Sequence, residues 1–306
     1  MVRPIVPNDF APYDLQSGSG QAARAAGRWG EVSLFQQRRT NNLFEAALTT
    51  LALIFHMTVY KLRKDERSAV ASLLMTVVRA LIMVTMFYIL FTVLGVRTSP
   101  IRGNFIVYIM TGIFMFMTHN AGIQAVMSAE GPVSALMKHA PMNTAISISS
   151  GALAALYKQF LACTVLLLFT NTFLEPVNIE HLLPCVAMFL LAWFSGCCIG
   201  LVFRAAQPWW PRGVLILSQF YMRLNMFTSG KMVVANTLPH FMLRMFDWNP
   251  LFHVIDQTRG FAFVNYTPHN SSIMYPVYVS LSLAMIGLMG EFVSRNSVSI
   301  SWSAGR

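Results

Sequence analysis

The chain has 306 residues, of which 55% are hydrophobic and only 11% are charged, with a mean hydropathy of +0.54. A soluble domain of this length needs far more charged side chains to cover its surface, so the composition excludes an ordinary soluble globular protein. The net charge of +10 does not indicate nucleic-acid binding, because nine of the 22 Lys and Arg residues lie before the first long apolar run. That placement is typical of the cytoplasmic flank of a membrane protein.

The chain opens with two segments that precede any membrane crossing. Residues 1–42 hold several prolines and a small-residue stretch without an apolar core, which predicts a flexible cytoplasmic tail. Residues 43–62 predict an amphipathic helix, because apolar residues recur there at spacings of three and four. These residues are Phe44, Leu48, Leu51, Phe55 and Val59. With the cations that follow, the pattern predicts a helix in the cytoplasmic headgroup plane, and a simple lead-in to the first crossing is the alternative.

Six apolar segments then have the length of a membrane crossing, which takes about 20 residues of α-helix. We place them at about residues 70–95, 104–129, 144–171, 182–203, 213–235 and 273–293. With the amino terminus inside, fourteen of the 22 Lys and Arg residues lie in cytoplasmic segments and four in external ones. The positive-inside rule therefore places both termini in the cytoplasm, with residues 296–306 as a second cytoplasmic tail. The expected fold is an all-α polytopic membrane protein.

Residues 236–272 fit neither a crossing nor an ordinary loop. They contain two apolar stretches of about ten residues, each interrupted by charge or proline, which predicts re-entrant or interfacial helices. The segment is rich in aromatic side chains, namely Phe241, Phe246, Trp248, Phe252, Phe261, Phe263 and Tyr266. These residues are expected at the outer headgroup level, either as a plain aromatic belt or as an external gate over a translocation path.

Two segments of the sequence resemble a known family. They are VYIMTGIFMFMTHNAGIQAVMSAEGPVSALMKHAPM at 107–142 and WNPLFHVIDQTRGFAFVNY at 248–266. Together with the order of elements over residues 43–295, they resemble the membrane subunits of type-2 ABC exporters for capsular polysaccharide, O-antigen and teichoic acid, most strongly the capsule branch. The second segment carries the resemblance through Asn249, Pro250, His253, Asp256 and Arg259. The chain departs from the family at the start of the first span, which lacks a Gly–x–x–Trp-like element.

The resemblance implies the permease subunit of an ATP-driven exporter in the bacterial inner membrane. Its substrate would be a lipid-anchored, acidic polysaccharide such as capsular polysaccharide. No GxxxxGK[ST] sequence occurs, so the chain has no P-loop; ATP and Mg would be bound by a separate ATPase subunit, and no cofactor is expected here. The other expected partners are a second copy of the chain and periplasmic export proteins.

Contact with the ATPase is expected at a short coupling helix, residues 130–142. The residues assigned to it are Glu130, Leu136, Lys138 and His139. A plain cytoplasmic turn is the alternative interpretation of this segment.

Charged residues inside a membrane crossing indicate a functional site, because burying them in lipid is costly. In the predicted fifth span, Gln219, Arg223, Phe227 and Lys231 are spaced by four and predict one polar stripe on a helix. Such a stripe suits a translocation path for a polyanionic glycan or its phosphate-bearing anchor, and a local structural pair is the alternative. Arg79 and Lys158 are weaker candidates within other spans.

Two further function classes remain open at the level of sequence. An ion-coupled secondary transporter would need carboxylates deep in its spans, and none lies there. An intramembrane glycan- or lipid-modifying enzyme would need clustered His and acidic residues, for which His240, Asp247, His253 and Asp256 are the candidates. The four cysteines lie in apolar runs without CxxC spacing, so no zinc site and no disulfide framework is predicted.

Overall fold

The computed structural model describes residues 43–64, 69–93, 95, 101, 103–131 and 143–304. The predicted tail at 1–42 and most of the predicted coupling segment lie outside the described residues. Within them the chain is all-helical, with no β-strand. The helices are α1 Leu43–Lys64, α2 Ala69–Val93, α3 Phe105–Met127, α4 Thr144–Phe173, α5 Leu182–Ala206, α6 Pro211–Thr228, α7 His240–Phe246, α8 Pro250–Ala262 and α9 Met274–Ala304, with a short 3₁₀-helix at Ala235–Thr237.

Five of these helices are long and apolar enough to cross a membrane. The qualifying stretches are Val70–Val93, Phe105–Met127, Thr144–Phe173, Leu182–Ala206 and Met274–Ser294. Each begins within a few residues of a predicted span. By the length and composition of these helices, the chain is a membrane protein. The last of them continues to Ala304, so the segment predicted as a carboxyl-terminal tail is mostly a helical extension.

The helix found at the fifth predicted span is shorter than predicted. Helix α6 has 18 residues and ends at Thr228, seven residues before the predicted end of the span. It also carries Arg212 and Arg223, and it is not among the helices apolar enough to cross a membrane by composition alone. The sixth crossing therefore stays a prediction.

Helix α3 is the most buried of the membrane-spanning helices and packs against α2, α4, α5 and α8. Its contact with α5 depends on two glycines one turn apart, Gly196 and Gly200, in a G-x-x-x-G pattern. A Cβ at Gly196 would collide with the carbonyl oxygen of His119, and one at Gly200 would lie 2.7 Å from that of Ile123. Only glycine permits this close approach of the two backbones, which makes α3 and α5 the centre of the fold.

Helix α1 is amphipathic, as predicted, and its apolar stripe faces away from the protein. Phe44, Leu48, Leu51 and Phe55 are all at least half exposed. The opposite side of the helix is attached to α4, where the Lys61 ammonium donates hydrogen bonds to the carbonyl and hydroxyl oxygens of Ser147. The exposed stripe is the side that could contact lipid.

The region between α6 and α9 folds mostly into the protein. Helix α8 packs against α5, α3 and α9. Four of the aromatic residues predicted for the outer headgroup level are buried, namely Phe246, Phe252, Phe263 and Tyr266. Phe241 and Trp248 are exposed, so the predicted aromatic belt is wrong for the four buried residues. For Phe252 the turn after α6 makes this possible, because Gly230, at φ +68°, has no side chain and the Phe252 ring lies where its Cβ would be.

Candidate functional site

A polar stripe runs along the carboxyl-terminal half of α3. Phe116, Asn120, Gln124 and Ser128 are spaced by four residues, so they lie above one another on one side of the helix. The stripe covers about 18 Å at 1.5 Å per residue and ends beside the predicted coupling segment. All four residues line two adjoining cavities, one on each flank of α3.

The first cavity, hereafter the cationic cavity, has a volume of about 680 Å³ and lies between α1, α2, α3 and α4. Three of these helices contribute a cation to its wall: Lys61 from α1, Arg79 from α2 and Lys158 from α4. Because α4 begins at Thr144, Lys158 lies in the middle of a membrane-spanning helix. Among the described lining residues, Glu130 is the one carboxylate.

The second cavity, hereafter the amide cavity, has a volume of about 690 Å³ and lies between α3 and α6. Gln219 and Arg223 of the predicted path line it, together with Gln207 and the stripe of α3. The prediction that these two residues share a polar surface is therefore consistent with their placement. Their facing partner is α3, which the sequence prediction did not assign to the path.

The other two residues of the predicted stripe lie elsewhere. Phe227 is 69% exposed and does not line the amide cavity. Lys231 follows the end of α6 and is only 4% exposed, with its ammonium 3.6 Å from the centroid of the Phe116 ring. The prediction of one four-residue helical stripe is wrong, because α6 ends at Thr228 and Gly230 turns the chain before Lys231.

The carboxyl-terminal end of α3 is held by an arginine of α5. The guanidinium of Arg204 donates hydrogen bonds to the carbonyl oxygens of Val126, at 3.4 Å, of Ala129, and of Glu130, at 3.1 Å. Its Nε lies 3.4 Å from Oε2 of Glu291 on α9. The last carbonyls of a helix have no intrahelical donor, so Arg204 both caps α3 and joins it to α5 and α9.

The segment predicted to couple to an ATPase begins at this cap. The amide of Glu130 donates to the hydroxyl oxygen of Ser147 on α4, at 3.0 Å. Glu130 is therefore held from α4 and α5 together. Leu136, Lys138 and His139 lie outside the described residues.

The residues that carry the family resemblance are buried in α8 and its cap. Asn249 is the N-cap, with its Oδ1 accepting from the amide of Leu251 at 3.0 Å. Its amide nitrogen donates to Asn225 and Thr228 at the end of α6. Pro250 occupies the first helical position, where its missing N–H costs nothing. The Asn–Pro pair thus starts α8 and ties it to α6.

The charged residues of α8 fasten two flanking loops. Arg259, 1% exposed, donates to the carbonyl oxygens of Gly230 at 3.1 Å, Lys231 at 2.6 Å and Val233 at 2.6 Å. Its guanidinium also lies 4.3 Å from the centroid of the Tyr108 ring on α3. The loop after α6 is therefore fixed to both α8 and α3 by one side chain.

Asp256 and His253 hold the loop that leads into α9. The hydroxyls of Tyr266 and Ser271 donate to the two carboxylate oxygens of Asp256, the second at 2.7 Å. Nε2 of His253 donates to the carbonyl oxygen of Asp247 at 2.7 Å, and its Nδ1 accepts from the amide of Ser272. The network thus assigns a neutral imidazole with its proton on Nε2.

Tyr266 is the partner of Asp256 whose chemistry the fold alters most. Burial raises the pKa of its hydroxyl, and the hydrogen bond to the Asp256 carboxylate raises it further. The phenol is therefore held protonated as a hydrogen-bond donor. Of the groups considered above for catalysis, His253 and Asp256 fasten loops, while His240 begins the separate helix α7.

Sequence reasoning missed the residues that join these parts. Asn120 and Gln124 are amides four residues apart in a predicted membrane span, a signal present in the sequence. Arg204 and Glu291 are oppositely charged residues near the ends of two spans. Their pairing could not be predicted, because it depends on how α5 and α9 pack.

No protein-family model matches the chain, and no curated protein matches its sequence.

Proposed function

We propose that the chain is the permease subunit of an ATP-driven exporter, as the sequence resemblance implies. It would cross the bacterial inner membrane six times, with α6 as a short fifth crossing and both termini in the cytoplasm. At 7 and 13 residues, α7 and α8 are too short to span a bilayer, which supports a re-entrant arrangement before the last crossing. The proposed cargo is a lipid-anchored, acidic polysaccharide of the capsular type.

The observation that carries this proposal is the polar stripe of α3 between two cavities. A membrane-spanning helix that carries stacked amides beside cations is costly in lipid unless those groups meet a polar ligand or water. Arg79, Lys158 and Arg223 supply positive charge on the two flanks of the stripe. A surface of this kind suits an acidic glycan, because hydroxyl and carboxylate groups can exchange contacts along amides and cations. We propose that Gln219 and Arg223 contribute to the path from the side of α6.

The stripe ends where the proposed coupling segment begins, which supports a mechanical link between them. An ATPase that moves residues 130–142 would pull directly on Glu130, and through Arg204 on α5 and α9. One wall of the amide cavity is α3, which ends at this cap, and the other is α6. Movement of the segment could therefore change the spacing of α3 and α6, which is how the path would open.

The test is affinity purification of the chain from its host in mild detergent, with mass spectrometry of the proteins that accompany it. We expect a stoichiometric soluble partner with a P-loop and a second copy of the chain. Transport or catalysis by the chain alone, without an ATPase partner, would contradict the proposal and favour the secondary transporter or the enzyme.

Substitutions at the cap test the coupling step in the same complex. Arg204→Gln removes the donors of the cap, whereas Glu130→Gln and Leu136→Ala change side chains of the proposed coupling segment itself. All three are expected to leave ATP hydrolysis intact but to reduce glycan export, with unchanged membrane insertion. Arg212→Gln is the matched control, because Arg212 is an exposed arginine at the start of α6 that lines neither cavity. Normal export by the three variants would show that coupling occurs elsewhere.

A further inference from the structure

Two adjacent tryptophans occupy the turn between α5 and α6, outside the proposed path. Trp209 is 68% exposed and Trp210 is 66% exposed, and neither lines the cationic cavity or the amide cavity. The turn is short, since α5 ends at Ala206 and α6 begins at Pro211. Large aromatic side chains that stay exposed side by side indicate a surface that meets something outside the chain.

The protein holds both tryptophan side chains in place. The indole N–H of Trp209 donates a hydrogen bond to the hydroxyl oxygen of Ser294 on α9, at 3.2 Å. That hydroxyl in turn donates to the carbonyl oxygen of Ala205 on α5, at 2.7 Å. The ring of Trp210 lies where a Cβ of Gly213 would be, so it folds back over the start of α6. Rings held in this way lose little conformational freedom on contact with a partner, which makes the turn a preorganised surface.

The depth of this turn in the membrane follows from the helices that end beside it. Helix α5 has 25 residues and extends about 37 Å at 1.5 Å per residue, against about 30 Å for the hydrocarbon core of a bilayer. The turn that follows its last residue therefore lies at the headgroup level. The apolar stretch of α9 ends at Ser294, the residue that Trp209 contacts. The polar residues Arg295 and Asn296 follow it in the sequence.

Exposed apolar surface continues from the turn along both neighbouring helices. On α6, Ile216 and Leu217 are exposed within two helical turns of Trp210. On α9, Met289 and Phe292 are exposed near the end of the apolar stretch. Helix α9 is long and apolar enough to cross a membrane, and exposed apolar side chains on such a helix face lipid. The two tryptophans thus extend a lipid-facing surface to its polar border.

We propose that Trp209 and Trp210 bind the interfacial region of the bilayer, with their rings among the glycerol and headgroup atoms at this end of α5. Tryptophan is favoured at that level because its large ring is apolar while its indole N–H is polar. Since the turn joins α5 to α6 and contacts α9, this binding would fix the depth of all three helices. The inference goes beyond the proposed export function, because it requires only that the chain crosses a membrane.

The test is quenching of tryptophan fluorescence in the purified full chain, reconstituted in vesicles of phosphatidylcholine. Bromine atoms on the acyl chains quench an indole on contact, and they are placed either near the headgroup end of the chain or at its tip. The chain has six tryptophans, so the fluorescence of the pair is the difference between the unmodified chain and the double variant Trp209→Phe with Trp210→Phe. We expect the pair to lose most of its fluorescence to bromines near the headgroup end and much less to bromines at the tip.

Trp193 provides the reference for depth, because it lies in the middle of α5. Its fluorescence, obtained in the same way from Trp193→Phe, should be quenched more by bromines at the chain tip. All variants are first checked for monodisperse elution in detergent. If the double Phe variant aggregates, Trp209→Tyr with Trp210→Tyr replaces it, with excitation at a wavelength that tyrosine does not absorb.

Ser294→Ala tests whether α9 positions the ring of Trp209. Without its hydrogen-bond acceptor the indole can rotate, so the preference of the pair for bromines near the headgroup end should become smaller. Ser280→Ala is the matched control, because Ser280 is another buried serine of α9 and should leave the preference unchanged. An equal preference in the two serine variants would contradict the fixed presentation of Trp209 on which the proposal depends.

Three results would overturn lipid binding by the pair. Quenching by acrylamide in the water phase, without quenching by either brominated lipid, would place the tryptophans on a surface open to water and to soluble partners. Resistance to all three quenchers would mean that protein covers them, either a second copy of the chain or another subunit. Stronger quenching by bromines at the tip than near the headgroup end would place them in the hydrocarbon core.

Discussion

Replacement of Arg259 tests whether α8 is the structural anchor that its contacts indicate. Arg259→Met keeps much of the side-chain volume but removes the donors to the carbonyl oxygens of Gly230, Lys231 and Val233. Hydrogen bonds from a charged group contribute about 1.5–3 kcal/mol each, and their losses are not additive when they share one side chain. We therefore expect a loss of about 3–6 kcal/mol, a large part of the 5–15 kcal/mol typical of folded domains.

The assay is thermal unfolding of the purified chain in detergent, followed by intrinsic fluorescence at a fixed scan rate. A loss of this size should lower the unfolding temperature by on the order of 10 °C, at a few degrees per kcal/mol for chains of this length. Because membrane proteins commonly unfold irreversibly, variants are compared at the same rate and protein concentration.

Two variants serve as controls for that experiment. Arg244→Met removes an exposed arginine from the neighbouring helix α7 and should leave the unfolding temperature unchanged. Arg259→Lys keeps the charge and some donors but loses the planar guanidinium group that reaches three carbonyl oxygens. Its unfolding temperature should therefore lie between those of Arg259→Met and Arg244→Met. If Arg259→Met unfolds at the same temperature as Arg244→Met, the anchoring function assigned to α8 is wrong.

Three other predictions follow from the fold. Gly196→Ala should lower the unfolding temperature by pushing α5 from α3, whereas Gly131→Ala, where nothing lies within 4 Å of the added carbon, should not. Because the folded state raises the pKa of Tyr266, the stability it contributes should be lost as pH rises above about 10, and Tyr266→Phe should flatten that decline in unfolding temperature. Reporter fusions after residue 306 should lie in the cytoplasm if α6 crosses the membrane; an external reporter would leave only five crossings.

The parts of the fold that the sequence predicts are those governed by local composition. The apolar runs of five spans and the period of α1 placed those helices within a few residues, because lipid leaves long apolar segments no other structure. The position of Lys231 could not be predicted in the same way. A spacing of four describes one face only while the helix continues, and Gly230 ends that continuity through a positive φ that no periodic pattern reveals.

The site was predicted in part for a related reason. Arg223 and Gln219 were identified as polar residues in an apolar run, and the same rule applied to α3 finds Asn120 and Gln124. The convergence of Lys61 with Lys158 is different, because 97 positions separate them in the sequence and only the packing of α1 on α4 brings them to one cavity. Contacts between distant segments carry no local signal.

The buried polar residues of this chain fall into two groups, according to whether their side-chain atoms have a hydrogen-bond partner among the described residues. Asn249, Asp256 and the terminal nitrogens of Arg259 are hydrogen-bonded within the protein, so their contacts fix loops and leave little capacity for a ligand. Oε1 of Gln159 and Oδ1 of Asn120 have no such partner among the described residues, and both residues lie at the cationic cavity. The segment that carries the family resemblance thus explains how the fold is held together. The chemistry of the cargo has to be inferred from α3 and its cavities, where buried polar atoms lack a hydrogen-bond partner among the described residues.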